Sequence, residues 1–269
     1  SLAASLVVGV VCAVIGCYIV LRSMAFLGDA LAHAILPGVA IAYLVGANLL
    51  AGALVAGVLV AVGISFVSRA GTVREDTAIG IFFAAALALG VVLISTMDSY
   101  AVDLTHVLFG NVLGVSATDL YISGGLAVAV LVAIALLYKR LLVVSFDPVL
   151  GQTLGLRTHM LRTALFLMLA ATIVVSLRTV GVALVAAMLV TPPAAAYLLT
   201  RRLPTMMAVS ALIGVVSAIG GLYVSYYLDV ASGGAMVLVA TGIFLLAFLF
   251  APGRGVVWKL RRPRKIRTS

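Results

Sequence analysis

The sequence has very few charged side chains for its length. Only 9% of its 269 residues are Asp, Glu, Lys or Arg, whereas 65% are apolar, and the mean hydropathy is +1.32. A soluble domain carries about 25% charged residues because it must present a polar surface to water. This composition cannot coat a water-soluble globule, so most of the surface faces lipid. The length allows roughly eight to ten spanning helices of ~20 residues and leaves no room for a large soluble domain.

Cysteine is nearly absent, and several catalytic motifs are missing altogether. Cys12 and Cys17 are the two cysteines, and they lie in one apolar run. They stand about 140° apart around a helix, which indicates small core residues without a redox or structural-metal role. No G-x-x-x-x-G-K-[ST] loop occurs, so the chain does not hold ATP in the P-loop manner. H-E-x-x-H and G-x-S-x-G are also absent, so zinc-protease and serine-hydrolase chemistries have no support.

The sequence is rich in apolar runs long enough to cross a bilayer. Because a backbone in lipid must satisfy its hydrogen bonds within the segment, these runs predict helices and an all-α polytopic membrane protein. We predict eight to nine spans in a single transmembrane domain, 1–269; the count is eight if one of the runs 163–177 and 182–200, which 178–181 separates, is a partial or broken span. The nine runs are 2–21, 25–45, 49–67, 78–95, 120–138, 163–177, 182–200, 208–227 and 235–250.

The basic residues between the runs predict the orientation of the chain. The net charge is +9, and Lys and Arg lie in short segments that can share one side of the spans. This pattern is typical of membrane topology rather than of a nucleic-acid-binding face. It places the C-terminus, with the basic tail 251–269, in the cytoplasm, and nine spans would place the N-terminus outside. The sequence begins at Ser1 without a methionine, so we expect a further N-terminal piece, with the first run retained as a helix.

The acidic residues show the complementary bias toward the outer side. Asp98, Asp103, Asp119 and Asp229 fall in outer segments, together with His106. A mildly negative outer face would raise the local concentration of cations, so Asp98, Asp103 and His106 are candidates for an outer entrance to a cation path. The alternative is that these loops are simply hydrophilic. The outer segment 97–118 also predicts a short helix near 104–112.

One apolar run carries ionisable side chains in its interior. Asp29 and His33 lie in the second run, and His33 is about 16 Å beyond Arg22, near the bilayer midplane. A spacing of four residues places the two side chains on the same helix face. Ionisable residues at that depth are costly, and the usual explanation is function. A carboxylate with an imidazole suits manganese, iron or zinc, whereas magnesium or calcium favours oxygen ligands alone.

Two ligands in one chain are too few for a metal site. A symmetric dimer would bring two Asp and two His side chains to its axis, which is enough for four-coordination or for an open site. This suggests a translocation path on the dimer axis. The alternative is that Asp29 and His33 only hydrogen-bond to each other or to a neighbouring helix. Pro37, one turn after His33, is expected to free a backbone carbonyl, as in helices that line polar cavities.

The inner segment 139–162 predicts a short helix at the cytoplasmic surface. Asp147 is a suitable N-cap, Pro148 takes the first helical position, and a glycine downstream supplies the stop. Leu150 and Leu154 then share a face, so the helix has about two turns and an apolar stripe. We interpret it as a docking element. The alternative is an amphipathic loop that rests on the lipid headgroups.

Several segments of the sequence resemble one transporter family. The segment LRSMAFLGDALAHAILPGVA at 21–40 closely resembles a hallmark segment of the manganese/zinc/iron ABC-importer permeases. The likeness continues at family-like spacing along essentially the whole chain, and more distantly the later half resembles the vitamin B12 and siderophore permeases. The further matching segments are EDTAIG at 75–80, HVLFGN at 106–111, FDPVLGQTLGL at 146–156, RTVG at 178–181 and TPPA at 191–194.

The resemblance implies a type II ABC-importer-like permease, the membrane-spanning subunit of a bacterial importer in the inner or plasma membrane. It implies a homodimer, two copies of a separate cytoplasmic ATPase that holds the ATP, and an extracytoplasmic metal-binding protein. It also implies that Asp29 and His33 are metal ligands in the pathway and that the transported divalent metal, manganese or zinc, is the ligand of this chain. The inner helix would seat in a groove of the ATPase; its candidate coupling residues are Asp147, Leu150, Gly151, Leu154 and Gly155.

The expected function is ATP-driven import of a divalent transition metal by alternating access. Asp29 and His33 would form a transient site, because a translocated ion must leave as well as enter. An ion-driven secondary transporter or channel for divalent cations stays open, and it would need no ATPase. An intramembrane hydrolase would need a further ligand or general base, and the spans offer none. A vitamin B12 or haem permease is disfavoured because an Asp–His pair suits a bare ion.

Overall fold

The computed structural model describes residues 2–69, 73–96, 117–177, 181–252 and 255–261. In these ranges the chain forms α-helices joined by short connections, and they contain no β-strand. The all-α fold class predicted from the composition is therefore confirmed. The helices are α1 Leu2–Leu21, α2 Ala25–Ala34, α3 Leu36–Leu44, α4 Leu49–Arg69, α5 Glu75–Ser95, α6 Ala117–Phe146, α7 Pro148–Thr153, α8 Thr158–Leu177, α9 Val182–Leu199, α10 Leu203–Leu228, α11 Ser232–Phe250 and α12 Val256–Arg261.

The described helices include eight spans that are long and apolar enough to cross a membrane. These are α1, α2 together with α3, α4, α5, α6, α8, α10 and α11. The seventh predicted run, 182–200, corresponds to α9, whose apolar part, Val185–Leu199, is shorter. Side chains that α4, α5, α6 and α11 turn outward are largely apolar, as a lipid-facing surface requires. The chain is a multi-pass membrane protein.

Helix α1 lies at the centre of the bundle. It packs against α10, α9 and α6, and most of its residues are buried. Gly16 permits the close approach of α9, because a Cβ at this position would lie 2.0 Å from the carbonyl oxygen of Leu189. Cys12 and Cys17 are free and buried, and the Cys12 thiol lies 3.4 Å from the Ser176 hydroxyl of α8. Both cysteines are therefore core residues, as the sequence predicts.

The second span is interrupted at Ile35, between α2 and α3. Pro37 has no N–H to donate to the carbonyl oxygen four residues earlier, which is that of His33. The N–H of Ile35 donates to this oxygen instead. The span then continues in α3, where Val39 N–H donates to the Ile35 carbonyl oxygen over 3.1 Å. The change in backbone hydrogen bonding caused by Pro37 is thus local, and it affects the carbonyl group of His33.

Helix α3 crosses α4 at very short range. A Cβ on Gly38 would lie 2.2 Å from the carbonyl oxygen of Gly52, and a Cβ on Gly52 would lie 2.3 Å from that of Gly38. Only two glycines allow the backbones to come this close. Small residues at such crossings are the usual means by which helices pack in lipid, where no hydrophobic effect drives them together. The crossing fixes α3, the second half of this span, against α4.

The structure corrects several predicted boundaries. The run 163–177 is part of a full-length span, because α8 begins at Thr158. The predicted loop 139–162 is partly helical, since α6 continues to Phe146 before α7 begins. Leu141 and Val144 are almost completely buried, so packing against the bundle extends α6 past the point where the apolar run ends. Hydropathy alone does not contain this information.

Candidate metal site and coupling helix

Asp29 and His33 lie side by side on α2. The Nε2 atom of His33 is 3.5 Å from Oδ1 of Asp29. The Asp29 side chain is 42% exposed and the His33 side chain 25%, although α2 belongs to one of the most buried spans. On the other face of α2, Leu27 and Leu31 are buried in the core. The helix therefore packs by one face and presents its two ionisable groups on an open face, as the spacing of four predicts.

One phenylalanine contacts the imidazole of this pair, and a second packs against that phenylalanine. The Phe83 ring of α5 stands edge-on to the His33 imidazole, with centroids 6.0 Å apart at 66°. Phe83 also meets Phe26 of α2 edge-on, with centroids 5.5 Å apart at 78°. The apolar rings limit the directions from which water reaches the imidazole. Sequence reasoning did not single out either residue, although Phe26 lies three residues before Asp29 and so shares its helix face.

The pair can supply two ligands to one cation. Zinc ligands of this type lie about 2.0–2.2 Å from the metal, so two of them in a tetrahedral shell stand about 3.4 Å apart. The 3.5 Å between His33 Nε2 and Asp29 Oδ1 is close to this value. Within the described ranges no group of three or more His, Cys, Asp or Glu side chains could hold a metal. The described part of one chain therefore offers half a coordination shell on an open face.

An apolar crevice begins beside the pair but offers no ligands. It has a volume of about 470 Å³ and lies between α3, α4 and α5, starting at Ala34, the residue after His33. Its walls carry no charged side chain, and Asn48 at its far end is the polar residue among them. A divalent ion would lose its hydration there without replacement. The crevice walls by themselves therefore offer no ligands to a cation.

The predicted short helix is present as α7. The Asp147 carboxylate accepts hydrogen bonds from the N–H groups of Val149 and Leu150, each 2.9 Å long. Pro148 occupies the first turn, as expected. Gly155 ends the helix with φ of 71°, a left-handed conformation that glycine adopts without strain. The helix prediction, with its N-cap and its stop, is confirmed.

Helix α7 lies flat against the ends of α6 and α8. Gly151 is buried, and a Cβ there would come within 3.1 Å of Thr158 and 3.2 Å of Val144. The rest of the helix is open, and it exposes four large apolar side chains, each at least 49% accessible, among polar ones such as Gln152 and Thr153. Leu154 is one of the four, as the C-cap of the helix rather than as part of its last turn. The exposed apolar side chains are Phe146, Val149, Leu150 and Leu154.

A group of charged residues lies at the same end of the bundle as α7. Nε of Arg162, in the second turn of α8, is 3.5 Å from Oε1 of Glu75, the first residue of α5. The guanidinium of Arg22, in the turn between α1 and α2, interacts electrostatically with both groups. Burial lowers the pKa of the Arg22 guanidinium, the Glu75 carboxylate opposes this shift, and Arg162 adds to it. From the sequence, Arg22 and Arg162 were used only as indicators of membrane topology, and Glu75 only as part of the family-like segment 75–80.

The proposed outer entrance falls in a different part of the chain. Asp98, Asp103 and His106, with the short helix predicted near 104–112, lie outside the described residues. Their role stays a prediction. Asp229, a further acidic residue of the predicted outer side, ends α10 in a left-handed conformation with φ of 51°.

These features define a class of protein: a multi-span helical membrane subunit with an ionisable pair in one span and an exposed apolar helix at one end of the bundle. The ABC 3 transport family matches residues 1–251. The chain belongs to this family. A relative from Halalkalibacterium halodurans, described as manganese transport system membrane protein MntC, is 51% identical and covers 99% of this chain and 92% of its own length.

Two further likenesses agree with this family. The MntC of Listeria monocytogenes, described in the same words, is 49% identical and covers 97% of this chain and 93% of its own. Among solved structures, a chain of PsaBC from Streptococcus pneumoniae in complex with Fab superposes with a TM-score of 0.86 at 39% identity. This superposition covers 97% of the present chain and 94% of that chain. The predicted resemblance to the metal ABC-importer permeases is therefore confirmed.

Proposed function

We propose that this permease imports manganese, using ATP that a separate subunit hydrolyses. The curated relatives that are 51% and 49% identical over nearly the whole chain carry the words "manganese transport system membrane protein". Manganese is also a cation for which one carboxylate and one imidazole are suitable ligands. Zinc and iron accept the same ligand types, so they are the competitors to be measured.

The Asp29–His33 pair is the observation that carries this proposal. Its nitrogen and oxygen atoms are 3.5 Å apart, inside a span and on an open face. A structural pair that served only to satisfy its own polar groups would be expected to lie buried against a neighbouring helix, whereas these side chains are 25% and 42% exposed. The exposure supports an ion that approaches from outside the chain.

A second copy of the chain completes the site in this proposal. Two copies related by a twofold axis would contribute two Asp29 carboxylates and two His33 imidazoles around one ion. Such a site would be open on the axis, so the ion could reach it from one side of the membrane and leave by the other. Alternating access then requires that the two copies move apart at one end and together at the other.

Coupling to ATP hydrolysis would use α7. In this proposal residues 1–269 form one permease domain whose inner segment 139–162 and basic tail 251–269 lie in the cytoplasm. In each of the two permease copies, α7 would seat in a groove on one ATPase copy. The contact would be made by the exposed side chains of Phe146, Val149, Leu150 and Leu154. Asp147, Gly151 and Gly155 would hold the helix in position for that contact. On the outer side, an extracytoplasmic metal-binding protein would deliver the ion.

Transport measured in vesicles tests this function. The permease is reconstituted with its co-purified ATPase in proteoliposomes that contain a manganese-sensitive dye. Asp29→Ala and His33→Ala should each lower ATP-dependent manganese uptake by at least about tenfold, because each removes half of one chain's ligands. Asp76→Asn and His159→Ala are matched controls that change the same residue types away from the pair, and they should transport normally.

The same vesicles separate the rival functions. Uptake that continues without ATP and follows an ion gradient would indicate a secondary transporter or channel. Uptake at the wild-type rate in both Asp29→Ala and His33→Ala would show that the site has been assigned to the wrong residues. Addition of zinc or iron in competition measures which metal the site prefers.

A further inference from the structure

Three charged residues meet where the second span begins. Glu75 Oε1 is 3.5 Å from Arg162 Nε, and each side chain is 23% exposed. Arg22 is largely buried beside them. One carboxylate thus stands in the field of two guanidinium groups in a place where water is scarce. In such surroundings an ion pair interacts more strongly than on an open surface, and loss of one partner leaves a costly unpaired charge.

These residues belong to three segments with different tasks in the proposed mechanism. Arg162 is in α8, only eight residues after Leu154 of the coupling helix. Arg22 is in the turn that leads directly into α2, seven residues before Asp29. Glu75 begins α5, the helix whose Phe83 touches the His33 ring. Helix α5 therefore contacts α8 through Glu75 and α2 through Phe83.

We propose that Glu75, paired with Arg162, is a positioning residue that transmits movement of the coupling helix α7 to the helix bearing Asp29 and His33. This inference rests on the proposed function, because it presumes that α7 is moved by an ATPase. Glu75 touches no ion in this scheme. It acts through the position of α2 and α5 relative to α8.

The geometry of the ion pair suits a contact that changes during a cycle. Glu75 Oε1 and Arg162 Nε have no hydrogen-bond partner among the described residues, and their separation is longer than a normal charge-assisted hydrogen bond. The contact between these two atoms therefore has room to shorten when the helices move. The neighbouring residue is different: Thr163 shares a short hydroxyl–hydroxyl hydrogen bond with Ser65 of α4. That bond ties α8 to α4 one residue beyond the ion pair.

The number of manganese ions imported per ATP hydrolysed tests this inference. Uptake and phosphate release are measured in the same proteoliposomes for Glu75→Gln, Arg162→Gln and the double variant. Each single change should lower the ratio about tenfold, which is within the usual range of coupling between sites. The double variant should lose about as much as Glu75→Gln alone, because the Glu75–Arg162 contact is already absent from that single variant. Arg162→Lys, which keeps the charge, should retain more than half of the wild-type ratio.

The neighbouring carboxylate provides the matched control. Asp76 is also in the first turn of α5 but is exposed, so Asp76→Asn changes the charge at the same helix end and should keep the wild-type ratio. Should a single variant not assemble with the ATPase, the double variant, which leaves no unpaired charge in the pair, supplies the measurement. A wild-type ratio in the variants, or equal losses in uptake and hydrolysis, overturns the inference. Failure of the wild-type protein to import manganese with ATP would instead overturn the proposed function.

Discussion

The ring of Phe83 on α5 stands edge-on to the imidazole of His33 on α2, with centroids 6.0 Å apart. This contact joins two spans at the level of the proposed ligands. The Phe83 ring contacts the imidazole from α5, and Asp29 Oδ1 lies 3.5 Å from its Nε2 atom on α2. Preorganised ligand side chains bind an ion more tightly, because their rotamers need not be ordered when the ion arrives.

Removal of the Phe83 ring should weaken manganese binding. Edge-to-face aromatic pairs contribute about 0.5–1.5 kcal/mol, so Phe83→Ala should raise the KM for manganese uptake roughly two- to tenfold. Phe82→Ala is the matched control, because Phe82 packs toward Gly63 of α4 and not toward His33. It should lower thermal stability and leave KM unchanged. Equal KM values in wild type and Phe83→Ala would show that the ring does not position the imidazole.

A charge on the exposed face of α7 should separate the permease from its ATPase. Leu154 is 62% exposed, so Leu154→Asp adds no buried charge to the isolated permease and should leave its fold intact. Buried in a groove of a partner, the same carboxylate would lack a counter-charge. Co-purification of the ATPase and metal-stimulated ATP hydrolysis should both fall at least about tenfold. Tyr226→Asp is the control, because Tyr226 is also exposed but lies in the last turn of α10, away from α7. Unchanged co-purification of the ATPase with Leu154→Asp would rule out docking at α7.

The N-cap of α7 should contribute measurably to the order of the helix. Asp147→Ala removes the acceptor of two N–H groups and should cost about 1 kcal/mol of local helix stability. Hydrogen exchange at the amides of Val149 and Leu150 should therefore accelerate about fivefold. Asp147→Asn keeps an acceptor oxygen and should exchange at nearly the wild-type rate. Faster exchange of equal size in both variants would mean that charge rather than capping orders the helix.

The crossing of α3 and α4 should tolerate no additional carbon. A Cβ at Gly38 would lie 2.2 Å from the Gly52 carbonyl oxygen, so Gly38→Ala must push the helices apart. Overpacking of this kind typically costs about 1–3 kcal/mol, which should appear as a lower melting temperature of the purified permease in detergent. Gly234→Ala is the control, because no atom lies within 4 Å of a Cβ there. An equal melting temperature for both variants would contradict the contact.

The site was predicted in part from the sequence. Asp29 and His33 could be paired because four residues make about one helical turn, and α7 could be placed because Asp147, Pro148 and Gly155 specify the start and stop of a helix locally. Phe83 and the Glu75–Arg162 pair were not found. Their partners are 50 and 87 residues away along the chain, respectively, and no local rule reports such contacts.

The sequence by itself determined that the chain spans the membrane and that its backbone is helical. It also determined that one span carries an Asp–His pair in its interior. These properties follow from composition and from spacings within one helix, where each residue's neighbours are known in advance. Only the tertiary structure decided that α6 extends to Phe146 and which face of α2 stays open. It also decided that the interruption near Pro37 is confined to Ile35, between α2 and α3. Those features depend on packing between helices, and packing is decided by distant residues such as Gly38 and Gly52 that meet only after folding.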